Sequence, residues 1–251
     1  MFSLPSKETA SGLFSAWHYI SSALCVAAVI LLALILRKKS DRLILTLTKV
    51  MAITLAALET VKITFKLIIG EGIYIDHYLP LFYCSLFIYA LFMYGFCKGA
   101  LQRAGSSFIT GGALVSGLAF LIFPVTSLPD YPVYHFISLH SMLFHSCMML
   151  MGIIFMSRQY ALLNRSAYLH YCAFVSIPIV ISLILNPIFE SNLMLISVPT
   201  NLPIDIINKI FESAPFVYTV GACAMYLVLP FFASKAILAV INSVKNRKTC
   251  R

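Results

Sequence analysis

The sequence predicts an all-α fold, a polytopic transmembrane helical bundle of about seven spans with its N-terminus outside and its C-terminus in the cytoplasm. Three observations predict it. Of the 251 residues, 61% are hydrophobic and only 11% charged, whereas a soluble domain carries about 25% charged residues. Apolar runs such as Ile20 to Leu36 and Phe174 to Ile188 recur along the chain, each close to the roughly 20 residues that a bilayer-spanning helix needs. Basic residues gather in alternate connections between those runs, which is how multi-span proteins mark their cytoplasmic side.

The whole chain, 1–251, reads as a single integral membrane domain without internal repeats. The first span, near 17–36, follows a segment holding Lys7 and Glu8 and ends in Arg37-Lys38-Lys39 without a small-residue cleavage site, so it reads as retained and not as a signal peptide. The second lies near 46–69 and ends at Gly70-Glu71-Gly72. The third, near 79–97, opens on Leu79-Pro80, and the break Gly105-Ser106-Ser107 sets off the fourth, near 107–124. Pro124 to Pro132 separates that span from the fifth, near 134–156. The sixth lies near 168–189, and a long stretch from Glu190 to Ser213 precedes the seventh, near 214–241.

Orientation follows from charge. Arg37, Lys38, Lys39, Arg42 and Lys49, then Lys98 and Arg103, Arg158 and Arg165, and finally Lys245, Arg247, Lys248 and Arg251 put 13 basic residues on one side, against Lys7 and Lys209 on the other. This predicts N-out and C-in. The net charge of +9 then reflects loops lying on anionic head groups and calls for no nucleic acid.

Seven cysteines, Cys25, Cys84, Cys97, Cys147, Cys172, Cys223 and Cys250, are scattered without a two-residue spacing, which predicts neither a zinc site nor a disulfide framework. Phosphate-cradling glycine loops are absent, and Gly111-Gly112 lies in an apolar run where close helix packing is the expected use. His135, His140 and His145 follow one another at intervals of five, so that successive ones point about 140° apart, unsuited to a shared metal. The sequence predicts no cofactor and no metal.

Charges inside spans are costly and usually face a cavity or a partner. Glu59, Lys62 and Lys66 are three and four residues apart in the second span, forming one polar stripe. A purely structural account is open too, with Glu59 paired to Lys62 and Lys66 snorkelling to the interface. In the fifth span Tyr134, Ser138, Ser141 and His145 form a second stripe, with His140 and His135 off that line. His145 is equally readable as interhelical hydrogen-bonding glue. With the predicted topology, Glu59, Lys62, Cys84 and His145 all fall in the outer half of the membrane, and Asn186 and Tyr218 at similar or shallower depth. Such convergence points to a cavity open to the outer leaflet. Cys84 could serve there as a nucleophile with His145 as its base, or be simply a small buried apolar residue.

The strings Leu79-Pro80-Leu81-Phe82-Tyr83-Cys84-Ser85, Gly111-Gly112-Ala113-Leu114 with Pro124, and His140-Ser141-Met142-Leu143-Phe144-His145 resemble the YwaF-like family of bacterial integral membrane proteins. Glu59, Asn192-Leu193-Met194-Leu195 with Pro199, and Pro215-Phe216-Val217-Tyr218 extend the likeness over roughly residues 55 to 220. A distantly similar eukaryotic transmembrane family acts as a cysteine-dependent acyltransferase on ether phospholipids. The resemblance therefore implies lipid acyl transfer or hydrolysis, with Cys84 and His145 catalytic and Glu59, Lys62, Lys66, His140, Asn192 and Tyr218 binding substrate. In the eukaryotic proteins the cysteine directly follows the proline and precedes a histidine, positions held here by Leu81 and Phe82, and Cys84 lies one helical turn further on.

Two other readings stand beside the enzyme: a transporter or substrate-binding membrane subunit for a small polar solute, favoured by Pro178 and Pro187 in the sixth span and Gly117 in the fourth, and a structural membrane protein whose polar stripes join helices. The expected partners are membrane lipids, and the expected location is the cell membrane.

Overall fold

The computed structural model describes residues 13–68, 75–124, 126–199 and 205–249. Nine α-helices follow in order among them: α1 (Ala16–Leu36), α2 (Asp41–Ile68), α3 (Leu86–Phe96), α4 (Gly99–Phe108), α5 (Leu114–Ile122), α6 (Phe136–Ser157), α7 (Arg165–Phe189), α8 (Asp205–Ser213) and α9 (Pro215–Thr249). A π-helical turn over Ile109–Ala113 joins α4 to α5, making one helix of the two. No strand occurs among the described residues. Helix starts carry side-chain caps where the sequence supplies them: Ser15 accepts from the His18 amide, Asn164 from Ala167, and the His135 ring from Ile137. Each satisfies an amide that has no partner within its helix.

Among the described residues six helices are long and apolar enough to cross a membrane: Ala16–Leu36, Asp41–Ile68, Gly99–Ile122, Phe136–Ser157, Arg165–Phe189 and Pro215–Ser243. The segment expected as the third of seven spans, near 79–97, is helical only over the 11 residues Leu86–Phe96. Residues 79–85 are turn and irregular chain. Irregular backbone at membrane depth is tolerated where protein or a cavity surrounds it, and this segment forms a cavity wall, described below.

Two of the expected breaks differ from the sequence reading. Gly105-Ser106-Ser107, expected as a break, lies inside α4, and the break falls at Gly99, whose φ of +67° suits glycine. A Cβ at Gly105 would sit 2.5 Å from the Ala90 carbonyl oxygen, so this glycine serves the α3 to α4 packing and not a turn. The stretch from Glu190 to Ser213 contains the 3-10 turn Leu193–Leu195 and the short helix α8. Gly70-Glu71-Gly72 lies outside the described residues.

Without a hydrophobic drive between helices in lipid, close approach through small residues supplies the packing. Cβ atoms built at Gly117 and Gly152 would fall 2.6 Å from the His145 oxygen and 2.6 Å from the Leu114 nitrogen, so both glycines hold α5 against α6. At Gly112 the added atom would meet the Tyr83 hydroxyl at 2.5 Å, and at Gly111 the Phe231 ring at 2.5 Å, in line with the packing use expected of this pair. Gly152→Ala drives a methyl into backbone, which cannot yield as a flexible side chain does. We expect it to destabilise by about 1 to 3 kcal/mol, the usual range for overpacking, seen as a lowered thermal midpoint of the purified protein in detergent.

Prolines free carbonyls, and the fold answers them. Pro230, inside α9, cannot donate to the carbonyl four residues back, which belongs to Tyr226. That oxygen accepts instead from the Tyr171 hydroxyl at 2.6 Å. Because the Tyr171 proton is committed there, the Tyr83 hydroxyl, 2.7 Å away, donates to the Tyr171 oxygen. This relay ties α9 and α7 to the segment before α3.

The pole where α1 gives way to α2 is fastened by Arg158, the C-cap of α6. Its guanidinium bonds Asp41 at 2.7 Å, the Leu36 carbonyl at 2.9 Å and the Lys39 carbonyl. The Tyr160 hydroxyl donates to the same Asp41 oxygen at 2.5 Å. Desolvation, then the bond to Asp41, pushes the Tyr160 phenol up to about 12. A raised value means that the protonated phenol is favoured in the fold, so the contribution is complete below the unfolded value near 10 and is lost as pH rises through about 12. Difference absorbance between wild type and Tyr160→Phe should place this titration above that of free tyrosine. Asp41→Asn should move it back down.

Candidate functional site

Along α2, Glu59 lies 18 residues from Asp41, roughly 27 Å at helical rise, so the polar stripe sits at the opposite end of the bundle from Arg158. There a cavity of about 540 Å³ opens between α2, the chain before α3, α5, α6 and α9. Glu59, Lys62, Lys66, Cys84, His140 and His145 all line it. Of the groups whose convergence the spacing predicts, Glu59, Lys62, Cys84 and His145 meet in this cavity, whereas Asn186 and Tyr218 do not line it.

Each group is placed by a nameable local cause. Glu59 is 6% exposed and its carboxylate meets the Lys62 ammonium at 2.5 Å, the i,i+3 reach of one helical turn. Its other oxygen lies 3.6 Å from Nε2 of His140. Lys66 stands over the Tyr131 ring at 6.0 Å. His145 is pinned by its own helix, because Nδ1 lies 2.7 Å from the Ser141 carbonyl. A carbonyl only accepts, so Nδ1 carries the proton and Nε2 is left with the lone pair. The Phe120 ring stacks on the imidazole at a centroid distance of 3.7 Å and 7°, and the Gly117 crossing holds the backbone behind it. His145 is thus a rigid acceptor facing the cavity wall.

Cys84 lies in the turn leading into α3, whose first residue is Leu86. The Cys84 carbonyl accepts from the Phe87 amide at 3.0 Å, and the positive end of the α3 dipole begins immediately after it. Cys84 and His145 share the cavity, but no hydrogen bond joins them.

The second stripe is only half realised. Ser141 and His145 face the cavity, whereas Tyr134 is 66% exposed and Ser138 donates to the Tyr131 carbonyl. His140, off the line of that stripe, lies on the cavity wall because the cavity wraps around more than one face of α6. Its side chain is buried, with neither ring nitrogen hydrogen-bonded.

Asn192 and Tyr218, expected to bind substrate, do not line the cavity. Asn192 closes its own loop, its oxygen accepting from the Ser197 and Val198 amides and its NH2 donating to the Val198 carbonyl. Tyr218 donates to the Leu195 carbonyl at 2.9 Å. Leu195 itself touches the cavity, so the two residues support the wall from behind. Asn186 clamps the same loop through Leu193, Ser191 and Ser197, fixing left-handed backbone at Met194 and Leu195. Sequence spacing missed Ser85, Ser116, Asp76 and Asp130, which also line the cavity. Lone serines in apolar runs and acids in connections carry no periodic signal.

Among the described residues no group of three His, Cys, Asp or Glu side chains is arranged to hold a metal ion.

The family model of the TMEM164 family matches residues 13–237. The chain belongs to that family. The match makes it a member of a transmembrane protein family and spans every residue that lines the cavity. It reaches beyond the motifs noted from residue 55 to 220, under the TMEM164 name and not the YwaF-like one. No curated protein and no solved structure matches the chain. This TMEM164-family protein is multi-pass, with six helices among the described residues long and apolar enough to cross a bilayer.

Proposed function

We propose that this TMEM164-family protein is an enzyme of membrane lipids, transferring or hydrolysing an acyl group in the cavity. The observation that carries the reading is that one cavity gathers a thiol, two histidines and a buried carboxylate–ammonium pair from separate elements. Charges and histidines at membrane depth mark function by default.

In the proposed reaction the Cys84 thiol gives its proton to Nε2 of His145 and its sulfur attacks the ester carbonyl of a lipid. The carbon–sulfur bond forms, the carbon–oxygen bond breaks, and the imidazolium returns the proton to the leaving alkoxide. Water or the hydroxyl of a second lipid then attacks the thioester, again losing its proton to His145 and restoring the thiol. The present lack of a bond between Cys84 and His145 accords with enzymes whose catalytic hydrogen bonds close only around substrate. Lys62, neutralised by Glu59 at rest, and Lys66 offer positive charge to the substrate's polar group, with His140 beside them.

The transporter reading draws its sequence support from Pro178, Pro187 and Gly117. No residue of α7, which holds both prolines, lines the cavity, and Gly117 is a packing contact. The structural reading accounts for Nε2 of His140, 3.6 Å from Glu59, but leaves its buried Nδ1 without a hydrogen bond. The proposal includes seven spans, counting residues 79–97 as the third, in the cell membrane with the N-terminus outside. The cavity then opens to the outer leaflet and membrane lipids are its partners.

The test is a cysteine-reactive acyl-mimicking probe applied to membranes containing wild type, Cys84→Ser and His145→Ala. Labelling lost in both variants at normal protein levels supports an activated thiol. Labelling of Cys84 that is indifferent to His145 removes that histidine from the mechanism, and no labelling at all favours a transporter.

A further inference from the structure

A second recess lies on the outer wall of the bundle, between α2 and α3, and nothing in the proposed chemistry uses it. It measures about 230 Å³ and is lined by Ala56, Ile63, Pro80, Ile88 and Phe92 with Thr60 and Tyr89 at its rim. Two of its residues, Glu59 and Pro80, line the large cavity as well, so recess and cavity share a wall. Its cause is local. Toward the Arg158 pole the two helices are in tight contact, where a Cβ on Gly95 would come 3.0 Å from the Lys49 side chain. One to two turns further on, α2 presents Ala56 to α3, and the small side chain leaves a slot. From Ala56 to Ile63 the slot follows α2 for roughly 10 Å at helical rise. Its polar groups are Glu59, midway along it, and Thr60 and Tyr89 at the rim; Ala56, Ile63, Pro80, Ile88 and Phe92 make the rest of the lining apolar.

We propose that this slot seats one hydrocarbon chain of a membrane lipid whose polar portion lies in the cavity. The inference rests on the lipid reading of that cavity. Its own support is the shared wall and the position of the slot: it opens on a lipid-facing surface, where Thr60 and Tyr89 are exposed, and an apolar slot open to hydrocarbon fills with hydrocarbon. Beyond Ala56 and Phe92 the close approach of α2 and α3 at Lys49 and Gly95 limits how far a chain can reach. The slot therefore discriminates chains by length, through the same steric term by which apolar pockets separate substrates differing by a methylene.

The experiment reconstitutes the full chain into phospholipid nanodiscs doped with a phospholipid carrying a diazirine at a defined position of one acyl chain, followed by irradiation and peptide mapping. Wild type and Cys84→Ser should both give adducts on Ile88, Tyr89 and Phe92, because seating needs no turnover. Ala56→Phe, a change on the lipid-facing side, should lower those adducts roughly tenfold while adducts on exposed residues of α1 such as Leu31 stay unchanged. Adducts spread evenly over all lipid-facing helices, or unaltered by Ala56→Phe in a folded protein, would overturn the proposal. Slot labelling in a protein inert toward the cysteine probe would uphold the lipid site and sink only the catalytic assignment. Turnover without slot labelling would do the reverse.

Discussion

Cys84→Ala is expected to abolish acyl turnover, and His145→Ala to lower it by about 100- to 10,000-fold, the span that a positioned general base contributes. The asymmetry follows from the chemistry. Without sulfur there is no thioester, whereas without the imidazole the thiol still reaches a carbonyl but must lose its proton to water. Loss of the thiol leaves packing almost untouched, since Cys84 is half-buried in a turn whose bonds are made by its backbone. Alanine at 145 removes a ring stacked on Phe120, so His145→Gln, which keeps polarity and bulk, is the paired control. Quantitative lipid profiling of membranes expressing each variant at matched levels is the measurement. An unchanged profile in all three variants would rule out both assignments.

The largest expected effect on stability is at Glu59. The carboxylate is buried and shared between Lys62 at 2.5 Å and His140 at 3.6 Å. Removing one member of a buried pair leaves the other's charge uncompensated, at a cost of about 3 to 5 kcal/mol. Glu59→Ala should therefore lower the thermal midpoint sharply, and the double variant Glu59→Ala with Lys62→Ala should recover a good part of the loss. A double variant as unstable as the single one would mean that the pair is not what the carboxylate serves. Gly117→Ala bears on both results, because a Cβ there would press on the backbone of His145. It should reduce probe labelling at Cys84 along with stability, although Gly117 does not line the cavity.

Helices and their order were legible because a bilayer imposes one length scale and one polarity on every span, as in Phe174 to Ile188. The polar stripe of α2 was legible for a similar reason, since Glu59, Lys62 and Lys66 repeat at helical spacing and charges in apolar surroundings stand out. His140 was assigned to substrate binding by resemblance while its angular position argued against it. One helix viewed alone cannot show that a cavity wraps two of its faces. That Asn192 and Tyr218 fall outside the cavity lining is not legible in sequence, because a polar side chain that clamps a loop and one that meets a ligand have the same composition. Gly105-Ser106-Ser107 reads as a turn in sequence, and becomes helix only when the Ala90 carbonyl lies close enough to need the missing side chain.

By itself the sequence determined that this is a membrane protein, where most of its helices run, and that a few ionisable groups lie at membrane depth. Hydrophobicity and helical period are local properties, written within a window of some twenty residues. Only the tertiary structure decided that Cys84, His140, His145 and Glu59 meet in one cavity, that α3 is short behind an irregular segment, and that Tyr171 caps the carbonyl freed by Pro230. Those outcomes depend on contacts between residues far apart in the chain, made where glycines and prolines let backbones approach or leave groups to be satisfied from a neighbouring helix.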